Sequence, residues 1–142
     1  EWGHNPLPWT HESELPGKKC YCGRTGCLET FISGPAIEKE FKNLHGKDLN
    51  MKNIVKESGA GNLKAEQTIR KLEDRLARAL AHVINILDPD SIVLGGGLSN
   101  IDRLYSNVPK IWAEYIFSDD VSTELSKARF GDSSGVRGAA WL

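Results

Sequence analysis

The sequence has little of what marks a specialised class of protein. Its formal net charge is −1 with 26% of residues charged, so it has no basic field to hold a phosphate backbone and no acidic tail. Nucleic acid is therefore not expected as a partner. No apolar run approaches the roughly 18 residues that a membrane-spanning helix needs, and no signal peptide opens the chain, so no membrane association is expected. No internal repeat or low-complexity tract interrupts the 142 residues, which fit one ordinary domain. The only methionine is Met51, and the chain opens at Glu1 inside a motif-like segment; a fragment of a longer protein is expected. Cysteine is scarce, and its three occurrences fall within eight positions.

That cluster is Cys20-Tyr21-Cys22-Gly23-Arg24-Thr25-Gly26-Cys27. Tetrahedral zinc takes four nitrogen or sulfur donors at about 2.0–2.3 Å, and three cysteines with one histidine form a common structural shell. Glycines at 23 and 26 let the backbone fold back so that Cys27 can face the ion bound by Cys20 and Cys22. One disulfide plus a free thiol is the alternative, although a C-x-C pair reaches disulfide geometry only with strain. His4 and His11 both lie within reach as the fourth donor. Reduced, metal-suited cysteines point to the cytoplasm.

Residues 1–32 read as an irregular, metal-braced loop, and 33–142 as an α/β layer. Ser33-Gly34-Pro35 starts a helix carrying Ile37, Phe41 and Leu44, closed by Gly46. A short helix covers Ile54 and Val55. The strongest periodic segment carries Ile69, Leu72, Leu76, Leu80, Val83, Ile84 and Leu87 on one stripe, with Glu73, Asp74 and Arg75 off it; the stripe serves either core packing or a dimer seam. Asp88-Pro89-Asp90 ends that helix. Ser91-Ile92-Val93-Leu94 reads as a buried strand of a parallel sheet. After Gly95-Gly96-Gly97, a helix with Leu104, Val108, Ile111, Trp112 and Tyr115 follows. A second strand is expected within 123–130, and Ser133-Ser134 is expected to cap a last helix.

Two places carry candidate chemistry. Gly95, Gly96 and Gly97 follow a strand, where ligands of open α/β sheets bind and side-chain-free backbone permits close approach. They fit a nucleotide's ribose or adenine, or simply a tight strand-to-helix turn. Glu1, His4 and Glu29 belong to the loop that a metal would rigidify, and carboxylates held there suit the vicinal hydroxyls of a sugar. Glu29 as a helix cap or a partner of Arg24 is the structural alternative. Asp102 and Asp132 read as helix-start groups, and Asp88 and Asp90 as the turn about Pro89.

Glu1-Trp2-Gly3-His4, then Cys20-x-Cys22-Gly23-x-x-Gly26-Cys27-Leu28-Glu29, resembles the signature of the ROK family of bacterial sugar kinases and repressors. Ile92-Val93-Leu94-Gly95-Gly96-Gly97 and the tail from Gly131-Asp132-Ser133 to Gly138-Ala139-Ala140 are similar to that family's C-terminal segment. The resemblance implies the C-terminal domain of an actin-like (RNase H-like) ATPase fold, with a zinc-braced N-terminal loop. It further implies ATP and magnesium as cofactors and a hexose hydroxyl as the phosphoryl acceptor. Glu1, His4 and Glu29 match sugar contacts; His4, Cys20, Cys22 and Cys27 match zinc ligands; Gly95, Gly96 and Gly97 match the turn near the adenosine. His4 is thus preferred to His11. Asn5-Pro6-Leu7-Pro8-Trp9 most resembles fructokinase or mannokinase members and less the N-acetylglucosamine kinases, which makes fructose the first expected hexose, with mannose or glucose as alternatives. A homodimer is expected.

The family's phosphate loop (D-x-G-x-T) and its general-base aspartate have no counterpart in these residues, so no catalytic residue is assigned and the chain alone is expected to be inactive. The effector-binding half of a ROK repressor is the second reading. A zinc-braced interaction module is the third.

Overall fold

A computed structural model describes residues 2–141, the side chain of Ser134 excepted. Its centre is the helix that the periodicity predicts, here α4 (Leu63–Leu87). Asn62 caps it by accepting from the backbone N–H of Lys64 and Ala65, and Asp88 closes it in the left-handed region at φ 43°. Helix α4 is surrounded. One side packs Leu72, Leu76, Leu80 and Ile84 against Leu104, Val108 and Trp112 of α5 (Arg103–Trp112) and Ile37 of α2 (Gly34–His45). A second side packs Ile69 and Ala65 against Phe41 and Ile54, the latter from α3 (Met51–Gly59). A third packs Ala79 against Leu7, Leu28 and Phe31, the last from the short α1 (Glu29–Ile32). The stripe is therefore core, although Leu87 at its end is exposed.

The caps of α2 also form as the sequence predicts. Ser33 Oγ accepts from the Ala36 N–H, Pro35 sits in the first turn, and Gly46 closes the helix at φ 69°. Two expectations need correction. Glu73 and Arg75 lie off the apolar stripe in sequence, yet both are buried, as is Arg78. They are paired: Arg75 and Arg78 with Glu14, and Glu73 with Arg103. Multiple hydrogen bonds to opposite charges make such burial tolerable.

The second correction concerns the sheet. Strand β1 (Ser91–Leu94) pairs in parallel with β2 (Glu124–Lys127), Ser91 opposite Glu124 and Leu94 opposite Lys127. The strand is not buried as expected. Ile92, Leu94 and Leu125 lean on the core around α5, whereas Val93 points the other way and is 60% exposed. Helices cover one face only, and side chains alternate across a strand. The last helix, α6 (Ser134–Ala139), begins at the expected place, but the Ser133 hydroxyl donates to Asp132 Oδ1 instead of capping it. Asp102 likewise offers no side-chain cap to α5; its carboxylate pairs with Lys127. Among the described residues, no helix is long and apolar enough to cross a membrane.

Candidate functional site

Residues 2–28 are largely irregular yet closely tied. Antiparallel bridges join Pro6 to Cys27 and Lys19 to Thr25. The Cys20 N–H donates to Arg24 O at 2.8 Å and the Gly23 N–H to Cys20 O at 3.1 Å, turning the chain back over itself. That turn needs Gly23 at φ 89°. Gly17 is required for another reason: a Cβ there would stand 2.7 Å from Gly26 Cα.

The fold brings His4, Cys20, Cys22 and Cys27 together, with their donor atoms all within 4.8 Å of one another. Cys20 Sγ lies 3.6 Å from His4 Nδ1, and Cys22 Sγ lies 3.6 Å from Cys27 Sγ. A tetrahedral zinc shell has edges of about 3.6 Å between sulfur and nitrogen and about 3.8 Å between sulfurs. The donor set fits that ion in chemistry and in spacing. It also decides between the histidines. His11 Nε2 faces Asp74 at 3.5 Å and its backbone N–H donates to Glu14, so it belongs to the α4 side.

The thiols are unlike one another. The hydrogen bond from Cys20 to Glu29 Oε1, at 3.0 Å, pushes the Cys20 pKa up to about 12. A backbone hydrogen bond from Arg24 brings exposed Cys22 down to about 7, and burial pushes Cys27 up. Metal uptake by such a set releases protons and gains affinity as pH rises.

Glu29 opens α1, and its carboxylate stands beside this cluster, 3.9 Å from His4 Nδ1. It contacts Cys20 instead of Arg24. With Cys20, Tyr21, Ser33, Lys39 and Glu40 it lines a cleft of about 710 Å³. Glu1 falls outside the described residues.

Gly95, Gly96 and Gly97 close β1. Only Gly96 requires glycine for its backbone, at φ 77°, with its N–H donating to Asp132 O. A Cβ on any of the three would meet nothing within 4 Å, so close packing does not account for Gly95 or Gly97. Gly97 lines a second cleft, of about 690 Å³, with Gly34, Glu38, Met51, Val55 and Leu98.

Sequence reasoning missed the groups that hold the loop in place. Arg78, fully buried, donates to Pro8 O at 3.1 Å and Trp9 O at 2.8 Å, and pairs with Glu14 and Asp74. Arg75 bridges Glu14 and Glu40. Burial works against the Glu14 carboxylate, but the guanidinium groups of Arg78 and Arg75 outweigh it and hold its pKa at about 2. The available signal was an arginine inside Leu76-Ala77-Arg78-Ala79-Leu80-Ala81, where every neighbour is apolar. Tyr21, whose hydroxyl lies 3.0 Å from His4 Nε2, carried no signal beyond its position between two cysteines.

The chain resembles known proteins in both sequence and fold. It is 36% identical over 146 residues to the N-acetyl-D-glucosamine kinase of Vibrio parahaemolyticus, covering 100% of this chain and 48% of that protein. Its structure matches a ROK hexokinase from Thermus thermophilus with a TM-score of 0.81 and 28% identity, over 99% of this chain and 47% of that one. A ROK family transcriptional regulator, homologous to the E. coli MLC protein, matches with a TM-score of 0.79 and 26% identity, over 99% of this chain and 37% of the regulator. The chain thus spans about half the length of the curated relatives it matches. The sequence model of the ROK family covers residues 1–142, and the chain belongs to that family.

Proposed function

We propose that this chain is the metal-braced, sugar- and ATP-binding half of an ATP-dependent hexose kinase. The observation that carries the reading is the convergence of three sulfurs and an imidazole beside a carboxylate that lines a cleft. His4, Cys20, Cys22 and Cys27 would hold zinc, which neutralises the thiolates and fixes the loop that positions Glu29. The zinc is structural, and the chemistry falls to the chain's own groups. Glu1, His4 and Glu29 orient the hexose by accepting hydrogen bonds from, or donating them to, its hydroxyls. Gly95, Gly96 and Gly97 leave backbone bare beside the second cleft, where the adenosine of ATP would lie, with magnesium accompanying its phosphates.

Phosphoryl transfer needs positioning, charge neutralisation and a base near the attacking hydroxyl. These residues supply positioning. Asp102 pairs with Lys127, Asp132 accepts from Asn100, and Asp88 closes α4, so none of them is assigned as the base. The cytoplasm, where thiols stay reduced, suits such a site.

The segment from Asn5 to Trp9 makes fructose the first acceptor, with mannose and glucose next. The relatives named for N-acetyl-D-glucosamine add an amino sugar to the candidates. The likeness to a transcriptional regulator supports a second reading, a sugar-sensing half without turnover. Elemental analysis of the full-length protein, combined with ATP turnover across these four sugars, separates the two. One zinc per chain and phosphorylation of at least one sugar are expected. Sugar binding without turnover would favour the sensor, and failure to bind any sugar would remove both.

A further inference from the structure

We propose that Tyr21 is a positioning residue for His4: its hydroxyl holds Nε2, keeps Nδ1 turned toward the three sulfurs, and gives up that nitrogen when a sugar arrives. The proposal rests on the functional reading above and deepens it. An imidazole that gives one nitrogen to a metal is oriented by the hydrogen bond of the other. Here Nδ1 lies 3.6 Å from Cys20 Sγ, and Nε2 lies 3.0 Å from the Tyr21 hydroxyl. With Nδ1 offering its lone pair to the cluster, the ring proton sits on Nε2, which donates to the Tyr21 oxygen.

Core packing does not explain this placement, because Tyr21 is 85% exposed. Its ring instead meets the imidazole edge-on, with centroids 5.2 Å apart and planes at 83°. Its backbone lies inside the Cys20–Arg24 turn that presents two of the sulfurs, so the hydroxyl is delivered by the same turn it serves. Tyr21 and Glu29 both line the larger cleft, whereas His4 does not. A sugar hydroxyl entering from that cleft reaches the phenol before the imidazole. To bond His4 it takes the place of the tyrosine hydroxyl, exchanging one hydrogen bond for another. Tyr21 therefore secures the metal ligand in the sugar-free state and competes weakly with sugar.

The two roles have opposite signs in one variant. In full-length Tyr21→Phe, zinc affinity measured by chelator competition should fall roughly 10- to 100-fold, the usual loss for an outer partner of a metal-bound histidine. With zinc saturating, calorimetric titration with fructose and with N-acetylglucosamine should show affinity at least as high as wild type, and up to roughly tenfold higher. Long-range 1H–15N spectra should show the His4 ring proton on Nε2 in the wild type and a broadened or shifted signal in the variant. A general loosening of the loop would lower both affinities together, and that result would overturn the proposal. Equal zinc affinity in the two proteins would also overturn it while leaving the functional reading intact. A wild-type protein that takes up no zinc would remove both. If neither sugar binds, the sugar reading falls and the zinc measurement still judges Tyr21.

Discussion

At the scale of single residues, three sulfurs and an imidazole converge within 4.8 Å, and the Glu29 carboxylate stands beside them on the wall of a cleft. Cys22 is the exposed sulfur of the set, so replacing it disturbs little packing. Cys22→Ser should lower zinc affinity by more than the roughly 100-fold ceiling typical of outer-shell changes, with metal stoichiometry measured after dialysis against a weak chelator. Unchanged zinc content would reject the assigned shell. Glu29 is placed otherwise: it touches the cluster through Cys20 but lines the cleft. Glu29→Gln keeps the shape and removes the charge. Hexose affinity should drop roughly ten- to hundredfold, as for loss of a charge-assisted hydrogen bond, while zinc stays bound. Equal sugar titrations for the two proteins would take Glu29 out of the site. The convergence of the cysteines was legible in the sequence because three of them fall within eight positions around two glycines. Tyr21 was not, since its role comes from which way a ring points, and position 21 would accept many residues without breaking the turn.

At the scale of elements, α4 carries the buried ion network as well as the core. Glu14 reaches Arg75 at 2.9 Å and Arg78 at 2.8 Å, and its pKa falls from 4.5 to about 2. A depressed carboxylate pKa means that protons favour the unfolded chain. The stabilisation is complete above about pH 4.5 and is lost as pH falls toward 2, an effect on the order of 3 kcal/mol. Glu66, hydrogen-bonded by Arg103, shifts in the same direction. Stability of the wild type against urea should fall as pH drops from 5 to about 2.5, and Glu14→Gln should be less stable at neutral pH yet flatter across that window. Parallel curves for the two proteins would show that the Glu14 network does not set the acid limit. Capping residues made α2 readable, since Ser33 and Gly46 act within a few residues of their own helix, and the apolar stripe made α4 readable. Burial of Glu73 and Arg75 was unreadable, because their partners Arg103 and Glu14 lie 30 or more residues away, whereas the apolar neighbours of Arg78 did mark it.

At the scale of the whole molecule, the two-stranded sheet is the least finished part. A parallel pair is ordinarily covered on both faces, yet here Val93 is open, as are Phe130, Val136 and Trp141. The error in expecting a buried β1 has this cause: an apolar, β-branched run records that a strand is meant to be covered, not what covers it. These 142 residues expressed alone should bind zinc and associate with concentration in sedimentation velocity, through exposed apolar surface. They should not phosphorylate sugar. A measurable zinc-dependent kinase rate from the isolated chain would contradict the reading that these residues supply positioning and no base.

The grip of Arg78 on the carbonyls of Pro8 and Trp9, with Glu14 locked beside it, has a mechanical result. The strap that carries Cys20, Cys22 and Cys27 is tied down by these bonds where it crosses α4, so it rides on that rod as a fixed outrigger. Heat should therefore release the ion and unwind the rod in a single step, with one midpoint by metal-sensitive dye and by far-ultraviolet ellipticity.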